Sequence, residues 1–357
     1  MRALADGFLA RAVARGVPPA AAKEIWSLLA RFSGYSFCRA HASGYGVLAY
    51  QTAYLKANWP AEHAVALLNN HQGMYPLRVN VEEARRRGIE VLLPCVNRSE
   101  EEFSLDEGRV RVGLSLVRNL SEGTRARILA GRPFRSLADF LRRAGPARRE
   151  AENLIVVGAF DWAGVARTEL LWELHGTYEE RRKERKREPG MFDGGLPDPA
   201  RPVLREFSLE DRLRHEIEIL GLAVSAHPIA LLRASGAAAG FHDTRELARR
   251  GAGEVRLVGI PAASRRVRTS KGEPMLFLTL EDEFDLVECT LFPRVFRSFL
   301  VETRGPGPFV ADGTIEDQYG ARTVNVRRLR SLAREEPILG EMLREEEEST
   351  GAFPRAV

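Results

Sequence analysis

The sequence predicts a multidomain α+β protein, and three observations predict it. Apolar residues recur at helical spacing through the first 88 residues or so, short segments punctuated by glycine follow, and from about residue 253 the apolar period switches to two. The length of 357 residues points the same way, because single hydrophobic cores usually stop growing at roughly 250 to 300 residues.

Within residues 1–88, Phe8, Ala12 and Val13, then Ile25, Trp26, Leu28, Leu29 and Phe32, recur at spacings of one, three and four, which predicts helices, with Gly34 closing one of them. A further helix is predicted from about Cys38 to Asn58, and Pro60 suits the first turn of the next, which carries Ala64, Leu67 and Leu68 inward. Residues 89–178 change character. Ile89–Leu92 and Arg109–Val112 alternate at strand period around the turn Asp106-Glu107-Gly108, predicting a small β element. Short helices follow at about 121–130, 136–143 and 149–157, ended by Gly131, Gly145-Pro146 and Gly158. Short helices joined by glycine-bearing hairpins predict a helix-hairpin-helix module.

Residues 179–252 open with the charged run Glu179–Glu188 and pass into a stretch rich in Gly and Pro, which reads as a helix tail, a linker and connecting helices, and as the main domain boundary. Residues 253–332 then present five period-two segments, Val255–Ile260, Met275–Leu280, Leu286–Phe292, Phe309–Ile315 and Thr323–Leu329, with a helix-like segment Arg294–Glu302 between the third and fourth. That order predicts a C-terminal five-stranded OB-type β-barrel. Residues 333–357 read as a flexible acidic tail through Glu345–Glu348, and Glu281-Asp282-Glu283 reads as a solvated turn at a strand end.

With 44% hydrophobic and 29% charged residues and no run approaching 20 apolar ones, the chain reads as soluble, without a membrane span. The start Met1-Arg2-Ala3-Leu4-Ala5-Asp6 lacks a signal-peptide apolar core, so a cytoplasmic location is expected. Cys38, Cys95 and Cys289 are too scattered for a disulfide framework or a zinc site, and no metal ligand set is expected. The net charge is +4, carried mostly by Arg, whose planar fork suits phosphate; a genome rich in G and C produces the same bias. There is no Gly-rich phosphate loop, GxSxG elbow or HExxH pair, so no catalytic residue is assigned.

The segment Phe32-Ser33-Gly34-Tyr35-Ser36-Phe37-Cys38-Arg39-Ala40-His41-Ala42-Ser43-Gly44-Tyr45-Gly46-Val47-Leu48-Ala49-Tyr50-Gln51-Thr52-Ala53-Tyr54-Leu55-Lys56 resembles the fingers signature of the bacterial C-family DNA polymerases, the DNA polymerase III alpha subunit family. Pro94-Cys95-Val96-Asn97-Arg98-Ser99, Gly158-Ala159-Phe160-Asp161 and Leu220-Gly221-Leu222-Ala223-Val224-Ser225-Ala226-His227-Pro228 extend the resemblance over roughly residues 1–330. Cys38 and the run Leu67-Leu68-Asn69-Asn70-His71-Gln72-Gly73-Met74-Tyr75-Pro76 look most like the error-prone alpha-subunit paralogue. The resemblance is to the C-terminal part of such an enzyme, so that residues 1–88 would be the end of an α-helical fingers segment.

The resemblance implies that Arg39, His41, Tyr45 and Lys56 lie near the incoming nucleotide and template, although the family commonly has Lys where this chain has Arg39. It places the DNA-backbone hairpin at Gly113–Glu122, with Arg118, Asn119, Ser121 and Arg125 as candidate contacts; Ser121 stands where the family usually has Gly and suits an N-cap. In the first barrel hairpin Arg265, Arg266, Arg268 and Lys271 surround a turn in the loop that such folds use for single strands, and Phe277 and Phe292 are candidates for base stacking or for core. The family's sliding-clamp motif falls at Glu188-Pro189-Gly190-Met191-Phe192, where Met191 and Phe192 keep the apolar anchors but Glu188 replaces the leading Gln, which argues against clamp binding.

The expected function is therefore that of a piece of an error-prone DNA polymerase acting in translesion or repair synthesis. It supplies fingers, helix-hairpin-helix and OB modules but lacks the palm carboxylates, so that Mg²⁺ and dNTPs belong only to the complete polymerase. The expected partners are DNA, as primer-template and single strand, and a palm-containing chain or other mutagenesis or replisome proteins. The alternative is a free-standing, non-catalytic DNA-binding or replisome-interaction protein derived from such a polymerase.

Overall fold

The apolar spacing of the first 59 residues is realised as helices in a computed structural model of the protein, which describes residues 2–33, 39–70, 75–184, 203–318 and 321–350. The chain divides into two compact units, Met1–Trp59 and Pro60–Val357. In the first, α1 (Arg2–Ala14) and α2 (Pro19–Ser33) pack as a hairpin turned at Gly16, whose φ of 85° favours glycine. The Phe8 and Trp26 rings meet across it at 5.4 Å. The third helix, α3 (Arg39–Asn58), leaves Tyr45 and Tyr50 63% and 71% exposed, and Tyr50 stacks on Tyr54 at 6.4 Å.

The second unit begins with α4 (Pro60–Asn69) and α5 (Leu77–Arg86), followed by a small sheet of β1 (Val91–Leu92), β2 (Ser104–Asp106) and β3 (Arg109–Arg111). The tight turn at Glu107-Gly108 joins β2 to β3, and β1 pairs parallel to β3, so the expected small β element also takes in Ser104–Asp106. Then come α6 (Glu122–Gly131), α7 (Leu137–Arg143), α8 (Arg148–Val156) and α9 (Arg167–Glu184). Their inward faces, with Phe134, Phe140 and Phe160 in edge-to-face contact at 5.1 and 5.0 Å, close one core.

That core also takes Ala64 and Leu68 of α4 and Val81 and Ala84 of α5. Hence the division falls at 59/60 rather than at the expected residue 88: an apolar helix face belongs to whichever core buries it. The expected boundary at 179–252 is no division either. Helix α9 contributes Leu174 to the core, and α10 (Leu209–Leu220), which follows, contributes Ile219 and Leu220. Gly158 makes the close approach beneath them: its φ is 84°, and a Cβ there would lie 2.4 Å from the Arg167 guanidinium that is hydrogen-bonded to Asp161 at 2.6 and 2.9 Å.

Two short helices, α11 (Ile229–Ala234) and α12 (Thr244–Arg249), lead to β4 (Gly253–Arg268), β5 (Pro274–Glu281), β6 (Leu286–Leu291), β7 (Phe309–Gln318) and β8 (Ala321–Ser331). They form a five-stranded sheet in the order β4-β5-β6-β8-β7, and β7 returns to pair antiparallel with β4, closing the sheet on itself. Leu276, Leu278 and Leu280 of β5 face Val287, Cys289 and Leu291 of β6 and Val324 and Val326 of β8 in its interior. Phe296 of α13 (Pro293–Ser298) adds to that core. Burial pushes the Cys289 thiol up to about 12, an inert thiol.

The expected flexible tail is a helix, α14 (Pro337–Thr350), as far as the described residues extend. Composition misleads here because the acidic residues share the helix with an apolar stripe. Met342 packs with Leu213 and Ile217 of α10, and Leu339 and Leu343 pack with Ile229 and Leu232 of α11.

Two outcomes are expected. Met342→Ala, at a side chain 1% exposed, should lower unfolding free energy by about 2–5 kcal/mol in denaturant titrations. Glu346 is pushed up to about 7, by burial above all, so the fold disfavours its charged form. Its contribution to stability is full below the ordinary carboxylate range and is lost as pH rises to about 7, so Glu346→Gln should flatten the stability profile between about pH 4.5 and that value.

Candidate nucleic-acid interface

A hairpin that presents backbone amides needs a residue in the left-handed region just before a helix start. Two such turns in the second unit brace each other. Asn119 (φ 62°) precedes the Ser121 N-cap of α6, and Gly145 (φ 55°) precedes the Ala147 N-cap of α8. Each hairpin is braced by the other's helix. The Glu150 carboxylate of α8, 6% exposed, accepts from the Ser121 N–H at 2.8 Å, the Ser121 hydroxyl at 2.7 Å, the Thr124 hydroxyl at 2.9 Å and the Ala147 N–H at 2.7 Å. In return Arg127 of α6 donates to the Ala144 carbonyl at 2.5 Å.

Burial works against the Glu150 charge, but the donors from Ser121, Ala147 and Thr124 outweigh it and hold the carboxyl below its usual range. Sequence reasoning placed the turn at Gly145-Pro146 but missed Glu150 and Arg127; the available signal was a Glu three positions after Ala147 in the helix that follows that turn.

Of the expected hairpin contacts, Ser121 caps α6 by accepting from the Thr124 N–H at 3.3 Å. Arg125 is committed to the fold, with Nε 2.6 Å from Glu101 and Nη1 2.7 Å from the Leu120 carbonyl. Arg118 and Asn119 are exposed. The Arg118 backbone is pinned, its N–H donating to Ile219 at 2.9 Å and its carbonyl accepting from Asn153 at 2.7 Å.

The four cations of the first strand hairpin are exposed together, but not around a loop as expected. Strand β4 runs on to Arg268, so Arg265, Arg266 and Arg268 stand on the strand and only Lys271 lies in the turn, at Gly272 (φ 79°). Arg265 faces Phe277 across the β4–β5 pair, its guanidinium 5.7 Å from the ring centroid, and Phe277 is half-buried. Thr290 of β6 continues this row beside Phe277, whereas Phe292 lies beyond β6 and is 48% exposed.

In the first unit Arg39 opens α3, its side chain outside the described ones, and the His41 ring lies edge-on to Tyr45 at 4.5 Å. Lys56 lies in the last turn of the same helix. Structure thus brings His41 and Tyr45 together. Met191 and Phe192 of the degenerate clamp motif lie outside the described residues.

The acidic run read as a solvated turn is buried: Glu281 and Asp282 are 0% and 1% exposed. The turn packs under α5, α11 and α12, and only ion pairing makes such burial tolerable. Glu281 meets Arg78 and, at 3.2 Å, Arg86; Asp282 accepts from the Thr244 N–H and hydroxyl at 2.9 and 2.6 Å; Glu283 accepts from Arg233 at 2.9 Å. With their lone pairs taken by cations and amides, these carboxylates do not fit a divalent-cation site. Among the described residues no three His, Cys, Asp or Glu side chains gather to hold a metal, and no helix is long and apolar enough to cross a membrane.

Helices paired through hairpins form a helix-hairpin-helix segment beside a closed five-stranded sheet, and the family model described as "Helix-hairpin-helix motif" matches residues 88–170. "Error-prone DNA polymerase" of Symbiobacterium thermophilum is 34% identical over 93% of this chain and 35% of its own length. "DNA polymerase III subunit alpha" is 33% identical over 82% of this chain in Saccharopolyspora erythraea and over 87% in Thermus aquaticus, in both across 27% of the relative's length. The chain belongs to this family of bacterial DNA polymerase III alpha subunits and error-prone DNA polymerases and corresponds to a C-terminal part of them. It spans about a third or less of the length of these curated relatives.

Glu150→Gln should cost about 1–3 kcal/mol in chemical denaturation, because the amide end turns a donor toward donors. The loss should shrink at acid pH: Glu150 is held below its usual range, so its stabilisation is full above the ordinary carboxylate pKa and fades as pH falls through the lowered one.

Proposed function

We propose that this chain handles DNA within an error-prone DNA polymerase: the closed sheet is an OB-type barrel that binds single-stranded DNA, the hairpins hold duplex backbone, and α3 lies by the nucleotide and template through Arg39, His41, Tyr45 and Lys56. One observation carries the single-strand reading. Arg265, Arg266, Arg268 and Lys271 are exposed on one strand hairpin, with the Phe277 ring beneath Arg265. Cations that track a phosphate backbone next to an aromatic face form the sequence-tolerant surface a single strand needs.

The strand order, with the third and fifth strands parallel and a helix between the third and fourth, supports the OB-type reading. At the hairpins, Arg118 and Asn119 are the exposed candidates for phosphate contact, while Ser121 and Arg125 position the backbone. Nucleotidyl transfer, with its Mg²⁺ and dNTPs, belongs to a palm elsewhere in the polymerase, and a palm-bearing chain or other replisome protein is the partner this reading calls for. The relatives do not favour a free-standing binding protein.

Replacing Arg265, Arg266, Arg268 and Lys271 together by Ala should weaken binding to single strands of any sequence in fluorescence anisotropy. The slope of log affinity against log salt should flatten by about 0.7 per lost phosphate contact, about 3 in all; unchanged affinity would sink the reading. Purified chain given primed template, dNTPs and Mg²⁺ should add no nucleotide, and Mg²⁺-dependent templated extension would overturn the assignment of chemistry to a palm elsewhere.

A further inference from the structure

A cleft of about 480 Å³ opens between α5, the segment Ala226-His227 ahead of α11, and the turn from β5 to β6, lined among others by Arg85, Arg86, His227, Arg245 and Phe284. His227 is 4% exposed. Its Nδ1 accepts the Ile229 N–H at 3.1 Å, so a neutral ring must carry its proton on Nε2. Burial first, then the positive charges of Arg78 and Arg86, holds the ring neutral. That Nε2–H has no hydrogen-bond partner.

Arg86 shares the condition. Its side chain is 9% exposed, and Nη2 serves Glu281 at 3.2 Å and the Asp282 carbonyl at 3.1 Å, while Nε and Nη1 are buried without a hydrogen-bond partner. Neither carboxylate of the lining fills this gap, because Glu82 is engaged by Arg85 at 2.7 Å and Glu283 by Arg233 at 2.9 Å. Buried donors are rarely left unpaired, because each forfeits its bond to water. At the rim Arg245 lies over the Phe284 ring at 3.3 Å, a flat cationic platform.

Unpaired N–H donors from two elements, with no free acceptor among them, complement an oxyanion with several lone pairs, to which a charged guanidinium N–H bonds strongly. We propose that this cleft binds a phosphate group, held by an unpaired guanidinium N–H of Arg86 and by Nε2–H of His227. The phosphate is either a free anion or part of a nucleic-acid backbone. The site is separate from the Arg265–Lys271 hairpin and does not depend on single-strand binding there.

The test follows the His227 Nε2–H signal by NMR in histidine-labelled full chain near neutral pH, with melting temperature read in parallel. Sodium phosphate at millimolar concentration is titrated against sodium chloride of equal ionic strength, and then a short oligonucleotide is titrated. A signal shift and a raised melting temperature with phosphate assign a free anion; the same response to the oligonucleotide alone assigns the backbone. Either supports the proposal, and the quadruple Ala variant of the β4–β5 hairpin should respond as the parent does. Arg86→Met should lose the response, and since Arg86 also bonds Glu281, Arg245→Gln at the exposed rim serves as a milder variant in which the response weakens. No response of the parent chain beyond that to chloride, with either probe, overturns the proposal.

Discussion

One buried guanidinium sets how the parts of the second unit dock on one another. Arg78 of α5 reaches Glu281 at the end of β5, the Pro261 carbonyl of β4 and, through Nε at 3.2 Å, Glu346 of α14. It thereby ties the helical core to the closed sheet and to the last helix. Removing two or three charges from water is expensive, and such a network adds little net stability; breaking one partner leaves a buried charge unpaired, which typically costs about 3–5 kcal/mol. The interaction therefore acts mainly on specificity. A helix docked one turn out of register would strand Arg78, Glu281 and Glu346 in a dry interior.

The same constraint shapes the surroundings. Glu82, beside Arg78 and Arg85, is pushed up by burial, and His227 is kept neutral within the same group of arginines. The site's donors are preorganised by bonds that already consume most of the available carboxylates, as Arg233 shows with Glu283. In the helix-hairpin-helix module, Glu150 and Arg127 play the analogous part with opposite charges, each supporting the hairpin of the other's helix. Two helix-capping turns thus form one rigid piece.

Much of this architecture is legible locally. The five strands stand where period-two alternation puts them, because a half-buried strand must alternate, and the hairpin helices end where Gly131, Gly145 and Gly158 allow the chain to turn. Ser121 reads as an N-cap and is one. Less legible are the places where a local rule meets a distant neighbour. The acidic run of α14 and the run Glu281-Asp282-Glu283 look solvated by composition, yet both meet arginines from far along the chain. In the candidate interface, Arg125 looks like a phosphate contact by charge and position, but Glu101 lies close enough to claim it.

By itself, the sequence determined most of the helical segments, the five strands of the closed sheet, the hairpins and the family, since these depend on residue types at short spacing and on a long match of such residues. Tertiary structure alone decided which carboxylates are buried, that α4 and α5 join the core of the second unit, that Glu150 braces two hairpins, and that Arg86 and His227 hold donors without partners. The physical reason is that pairing and desolvation are set by distances of 3 to 4 Å between groups far apart in the chain, as with Arg78 and Glu346 at 3.2 Å, and no local pattern encodes such distances.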